Sequence, residues 1–418
     1  MALDQRQAQA RPGRRQAADG RIRLRVGWLL DGLDGPVLRD RLVELEGDRI
    51  AAIQPFGQHD PPWPGILDLR HATLIPPLID AHVHLSFSGV AKPPGQGRPD
   101  DHQARTVAGN LENHWNNGIR AVRDAGDSRG AALRFKRTRF QDWPYSQIVR
   151  SPGWALHAPG RYGRLLGRVL PRGQNLEEAL ARMGGGIDHV KLVNSGLNSL
   201  EQFGRQTRPQ FDQPRLAAIR DAAARKNLPL MVHANGTAPV GTALAAGCDS
   251  IEHGYFMGAD NLGRMADQQV CWVPTVAPMA ALANAAGLTQ AQREVALRTR
   301  DHQLNCIAKA HAMGVPIVAG TDSGSPGVEH GVALWQELQW LRRAGLSAAA
   351  AVACATSRAT GLLGLDQWGV LAPGRRADFL VIEADPEKGV GDLEKMTAMC
   401  VRGVWWCDGG TASRLGVI

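Results

Sequence analysis

The sequence predicts an α/β protein: a (β/α)8 barrel of the TIM type with a small flanking β-sandwich built from both chain ends. Three observations lead there. Apolar strands alternate with helical stretches through the middle of the chain, the pattern of βα units and a parallel sheet. Short alternating β-like runs stand at both ends. The side chains able to carry chemistry fall where strands give way to loops, the end of a parallel barrel at which sites form.

Taken in order, residues 1–20 are polar and arginine-bearing, without the apolar core or small-residue cleavage site of a secretory signal. They are expected to form a disordered tail. "RIRLRVGWLLDG", "LVELEGDRIAAIQPF" and "ILDLRHATLIPP" follow, each alternating or β-branched and bounded by Gly, Asp or Pro. The same texture returns in "ADFLVIEADP" and "MTAMCVRGVWWCDG", so residues 21–74 and 363–412 are assigned to the β-sandwich and 75–362 to the barrel. The first barrel strand ends at His82. The others read as "GIRAVRDAG", "SQIVRSPG", "DHVKLVNSG", "LPLMVHANG", "SIEHG", "VCWVPTV" and "PIVAGTDSG". Helical material lies between them, as in "RLAAIRDAAARKN" and "QLNCIAKAHAMG", the latter stopped by Gly314 and Pro316.

Composition excludes several classes. With 44% hydrophobic and 21% charged residues in 418, the chain is of ordinary globular type, and no apolar run nears the roughly 20 residues of a membrane helix. The net charge of +8 is spread without a dense basic block interleaved with aromatics, so neither nucleic acid nor membrane is expected as a partner. Arginines do outnumber acids between Arg120 and Arg172, including "GRYGRLLGR". That excess suits a solvated face or the attraction of an anionic substrate. Six scattered cysteines without a C-x-x-C pair argue against a disulfide scaffold or zinc knuckle and for a cytoplasmic location. "MGGGID" lacks the lysine and serine of a phosphate loop.

The chemistry gathers at "PPLIDAHVHLSFSG", residues 76–89. In a strand, residues i and i+2 share a face, so His82 and His84 converge as the strand ends, the arrangement of two ligands on one metal ion. Lys191 stands on the fourth strand, His233 on the fifth, His253 on the sixth and Asp322 on the eighth. Singly, each has a plain structural role: a core histidine, a salt-bridged lysine, a helix cap. Six of them at one barrel rim point to a metal site.

This order, framed by "LIDAHVHL", "HVKLVNSG", "LMVHANG", "SIEHG" and "IVAGTDSG" and closed by "AAVACATSRATGLLGLDQWGVLAPGRRADFLVIEADP", resembles the amidohydrolase superfamily of metal-dependent hydrolases from Arg21 to Asp408. The resemblance implies two divalent ions, with zinc foremost and Mn, Co or Fe compatible. His82, His84 and Asp322 would hold the first and His233 and His253 the second. Lys191 would bridge them as a carbamate formed with CO2, since an ammonium has no lone pair to offer. A metal-bridging hydroxide would attack the carbonyl, with Asp322 as catalytic base and then acid. Mononuclear deaminases of the superfamily carry H-x-x-E at the fifth strand, where this chain has "HANG" with Gly236, and they lack the strand-four lysine.

Among binuclear members the chain looks most like prolidase-like and acyl-amino-acid amidohydrolases. Hydrolysis of an amide or peptide bond, in a dipeptide or N-acyl amino acid, is therefore expected. The small-molecule substrate would carry a carboxylate, with His157, Arg161, Tyr162, Arg164 and Tyr255 as candidates to bind it. A lactonase or phosphotriesterase activity on the same site is the nearest alternative, with mononuclear deaminase-type chemistry and a scaffold that has lost catalysis as further ones. Assembly as a homo-oligomer is left open.

Overall fold

The computed structural model describes residues 8–10, 21–57, 66–89, 99–174, 176–388 and 396–407. The strands are β1 (Ala8–Ala10), β2 (Ile22–Leu29), β3 (Leu38–Glu46), β4 (Arg49–Pro55), β5 (Leu67–Ile75), β6 (Leu78–Val83), β7 (Ile119–Asp124), β8 (Ile148–Arg150), β9 (Ala155–His157), β10 (Gly167–Val169), β11 (Val190–Val193), β12 (Leu230–Ala234), β13 (Ser250–His253), β14 (Cys271–Val273), β15 (Phe379–Ile382), β16 (Met396–Val401) and β17 (Val404–Cys407). The chain divides into two compact units, 1–78 with 347–418, and 79–346.

The unit made from both chain ends is an eight-stranded sheet in the order β1-β17-β16-β15-β5-β2-β3-β4. It is mixed: β2 runs parallel to β5, with Leu24 opposite Leu67, whereas β15 pairs antiparallel with β5, Val381 opposite Leu74. The expected sandwich is one hydrogen-bonded sheet, and its core draws Leu24, Val43 and Leu69 together with Phe379, Val381 and Trp405. Of the N-terminal tail, residues 8–10 are described, as the short strand paired with β17. The rest of that tail and residues 408–412 lie outside the described residues.

The other unit holds two parallel sheets, β6-β7-β8 and β10-β9-β11-β12-β13-β14. β6, β7, β11, β12 and β13 are buried along their whole length, as parallel strands covered on both faces must be. Helices such as Gln213–Ala224 and Gln290–Ala312 fill the intervals. The run expected as the eighth strand, 316–324, forms isolated bridges and no regular ladder. The Trp272 amide donates to the Pro316 carbonyl, the Ala81 amide to the Ala319 carbonyl, and the Asp322 amide to the His82 carbonyl (2.8, 3.0 and 2.7 Å). Gly320 lets it slot in, for a Cβ there would lie 2.5 Å from Val273 Cγ1 and 2.9 Å from the His82 backbone nitrogen. Two strands escape the sequence reading, β9 and β10, which flank the arginine-bearing loop.

Helix Ala277–Ala283 begins against a buried carboxyl group, Glu337, which burial pushes up to about 8. Glu337 accepts from the Val276 and Ala277 amides at 2.9 Å each, satisfying donors that a helix start leaves without partners. Each buried donor left unmade costs about 1–3 kcal/mol, so Glu337→Ala, which strands two, is expected to lower stability by about 2–6 kcal/mol in urea titration. A loss below about 1 kcal/mol would show that water replaces the carboxyl group.

Among the described residues no helix is long and apolar enough to cross a membrane. Cys248, Cys271, Cys306 and Cys354 are free thiols.

Candidate metal centre

His82 and His84 leave β6 on one face, their ring centroids 5.6 Å apart. Asp322 meets both: its Oδ1 lies 3.4 Å from His82 Nε2 and 3.2 Å from His84 Nε2. One ligand atom from each of the three lies within 4.8 Å of the others. The His253 ring adjoins His82 at 4.9 Å and His233 at 4.5 Å, so the four imidazoles form a continuous cluster.

Backbone strain places two of these side chains. His253 has φ +68° and Asp322 φ +57°, left-handed conformations that cost non-glycine residues of order 1–3 kcal/mol and gather at functional sites. On β13 the consequence is visible. Glu252 and His253 are consecutive, yet Glu252 Oε2 lies 2.6 Å from His82 Nδ1 and the His253 ring also packs on His82. The left-handed residue breaks the strand alternation, so both face the same side.

Each imidazole has one ring nitrogen engaged away from the cluster. His82 Nδ1 donates to Glu252, His84 Nδ1 to the Gly126 carbonyl (2.9 Å) and His233 Nε2 to the Gly196 carbonyl (3.3 Å). His253 Nδ1 pairs with Thr275 Oγ1 at 2.7 Å. Such outer partners fix the tautomer and leave the opposite nitrogen as a lone-pair donor. Burial first, and then the Lys191 charge, pushes His233 down to about 3. Burial followed by His233 lowers His253 well below the usual histidine value. Both rings are neutral, the state in which imidazole ligates. For Asp322 burial opposes ionisation, but His82 and His84 hold the carboxyl well below its usual range.

Lys191 is 1% exposed on β11. Its Nζ, like His82 Nε2, is buried without a hydrogen-bond partner among the described residues. Burial is the largest influence on it and lowers the amine to about 8, with Glu252 opposing and Arg123 reinforcing. The open Nε2 of His82, the neutral rings of His233 and His253 and the ionised carboxylate of Asp322 make a donor set that fits divalent cations, with Lys191 beside them.

The five substrate-binding candidates separate. Tyr162 packs on His233, ring centroids 5.6 Å apart, and His157 is buried at the end of β9. Arg161 turns elsewhere: it donates to the Arg208 carbonyl at 2.7 Å and lines, with Arg172 and Arg215, an open groove of about 1150 Å³. Arg164 is exposed. Tyr255 is buried with its hydroxyl donating to the Thr275 carbonyl at 2.9 Å, which makes it a support for the loop behind His253. Sequence reasoning missed Glu252 and Arg123, although "SIEHG" and "GIRAVRDAG" contain them. A charged residue inside an otherwise apolar strand was the available signal.

Residues 73–409 match the Amidohydrolase family. An uncharacterized protein of Mycobacterium tuberculosis is 29% identical over 342 residues, 79% of this chain and 84% of that protein. Ochratoxinase of Aspergillus niger is 29% identical over 225 residues, 53% of this chain and 45% of the enzyme. Imidazolonepropionase of Rubrobacter xylanophilus is 26% identical over 388 residues, 82% and 84% of the two chains. Among solved structures, a Xaa-Pro dipeptidase with methionine bound in its active site superposes with a TM-score of 0.76 at 24% identity, covering 93% of this chain and all of that one. A prolidase complexed with N-methylphosphonate-L-proline does so at 0.72 and 21%, again with 93% and full coverage.

Proposed function

The chain belongs to the amidohydrolase family, and from that premise we propose that it is a binuclear metal-dependent hydrolase of amide or peptide bonds, acting on dipeptide or N-acyl amino acid substrates. The observation that carries the reading is Lys191. A buried amine with no partner, set among neutral histidines, is an unfavourable thing to build unless it is converted into something else. Carboxylated by CO2, it becomes an anion with two oxygens, able to serve two cations at once.

We read the two parallel sheets and the run 316–323 as parts of one eight-stranded barrel, residues 75–362, with 21–74 and 363–412 as the flanking domain. In the site His82, His84 and Asp322 would hold one ion, His233 and His253 the other, and carboxylated Lys191 both. Zinc suits these donors. When bound, such ions lower the pKa of water to near neutrality and polarise a carbonyl. The protein's own part is proton handling: Asp322 accepts the proton of the attacking water and returns it to the departing amine. Of the five candidates we take Tyr162, beside His233, as the one to receive a substrate carboxylate. The bound methionine and the proline phosphonate in the two solved relatives are amino-acid-like, which supports that choice of substrate.

Deaminase-type chemistry is disfavoured at Gly236. It carries no carboxylate, and its φ of +92° is a conformation side chains rarely adopt, so a glutamate is strained there.

Chelation is expected to abolish hydrolysis of N-acyl amino acids and dipeptides, and zinc with bicarbonate to restore it. A charge-assisted hydrogen bond contributes about 1.5–3 kcal/mol, so amidating the substrate's carboxylate should lower kcat/KM roughly 10- to 100-fold. Steady-state kinetics on a panel including lactones and phosphotriesters decides the matter. Turnover of those esters with no action on amides would refute the amidase reading.

A further inference from the structure

Beneath the histidine cluster lies a fully buried charge pair that the proposed reaction does not use. Glu252 Oε1 accepts from Arg123 Nη2 at 2.7 Å and from Ser250 Oγ at 2.5 Å, while its Oε2 accepts from His82 Nδ1 at 2.6 Å. Arg123 spends its remaining donors with equal economy. Nη1 reaches Ser250 Oγ at 3.0 Å and Nε the carbonyl of Ala81 at 2.7 Å, so one guanidinium grips the side chains of β13 and the backbone of β6 next to His82.

We propose that Arg123 and Glu252 are a positioning pair for His82, selecting the ring tautomer that presents Nε2 as a lone pair to a cation and fixing the ring's direction. This rests on the metal-site reading above. A neutral imidazole carries one proton, and the nitrogen that donates decides which nitrogen ligates. Glu252 offers only acceptors, provided it stays ionised. Alone, a carboxylate at 0% exposure would be strongly penalised; the forked Arg123 contact offsets that cost in a geometry a lysine cannot reproduce. The proton is thereby held on Nδ1, and the nitrogen left over is Nε2, the atom with no hydrogen-bond partner. Arg123 adds direction, because it ties the carboxylate that steers the ring to the backbone that carries it. The strain at His253 has a use in the same arrangement. By turning two consecutive residues to one side, it lets β13 supply His253 and the carboxylate that orients His82 across the site.

The test measures two quantities on Glu252→Gln and on wild type: zinc affinity against a chromophoric chelator, and the tautomer of His82 from 15N imidazole spectra of the metal-free protein, assigned with His82→Asn. Loss of an outer partner costs a ligating histidine roughly 10- to 100-fold in metal affinity, and that loss is expected together with a shift of His82 from one tautomer to a mixture. Ser250→Ala, which leaves the Arg123 to Glu252 contact in place, should keep the tautomer. Affinity within about threefold of wild type, well short of the usual outer-partner effect, overturns the proposal. So does a loss of affinity with the tautomer unmoved, since that would mark a merely structural pair. If Glu252→Gln does not fold, Arg123→Lys decides in its place: it keeps the charge but gives up the bond to the Ala81 carbonyl, and a wild-type affinity there overturns the pair. A wild type that binds no zinc would refute the metal-site reading and this inference with it. Equal binding by wild type and variant refutes the pair alone.

Discussion

Lys191→Ala is expected to lower bound metal from about two ions per chain to one or fewer and kcat/KM by about 10³-fold or more, the kinetic equivalent of the several kcal/mol a metal contributes at a carbonyl. The fold should survive, because Lys191 Nζ makes no hydrogen bond that its removal would break. What is lost is three methylenes and the amine, and a space opens beside the cluster. A short carboxylate such as acetate or propionate, added at millimolar concentration, can enter that space and supply the two oxygens the side chain no longer carries, so partial rescue is expected. Plasma mass spectrometry on dialysed protein and kinetics with and without added carboxylate check both parts. Unchanged metal content and turnover would make Lys191 a structural lysine and end the binuclear reading.

Asp322→Asn is the second large effect. Asparagine tolerates the left-handed backbone that Asp322 adopts at φ +57° better than most residues, so the substitution isolates the carboxylate's chemistry from the cost of the turn. His82 and His84 keep Asp322 ionised, the state from which a carboxylate can accept a proton. General acid–base catalysis contributes typically 10²–10⁴-fold, and a fall in kcat of that size with KM little changed is expected. A fall of less than tenfold, on protein whose metal content is also measured, would move the proton-transfer role to another residue.

The sequence made the site readable where chemistry and period coincide. His82 and His84 obey the two-residue period of a strand, and Asp322 sits in a run whose glycines mark a close approach to a neighbour. Period says which face a side chain takes and nothing about which strand lies beside it. For that reason the parallel pairing of β2 with β5 was not legible, and alternating runs that suit a sandwich turned out to be one continuous sheet. Three-residue strands such as β9 and β10 carry no period at all. Arg123 and Glu252 were hidden for a further reason: their meaning lies in a contact spanning 129 positions, which no local pattern encodes. The eighth segment looked like a strand because it is apolar. It leaves the regular ladder so that Asp322 can turn back toward the histidines.

The eight-stranded sheet also sets a timetable for biosynthesis. β5 receives β2 on one side early, but its other side is completed by β15, about 300 residues later in the chain. At ribosomal rates of 5–20 residues per second that interval is about 15–60 s. Throughout it the nascent protein presents the end of β5, Thr73–Ile75, without the partner it pairs with in the finished sheet, the hazard that sheet edges carry. Two of its last residues, Leu74 and Ile75, are fully buried once the sheet is complete, so the waiting edge is apolar where β15 will dock. A fold that recruits its two termini into one layer thus leaves an early strand waiting on a partner made near the end of synthesis.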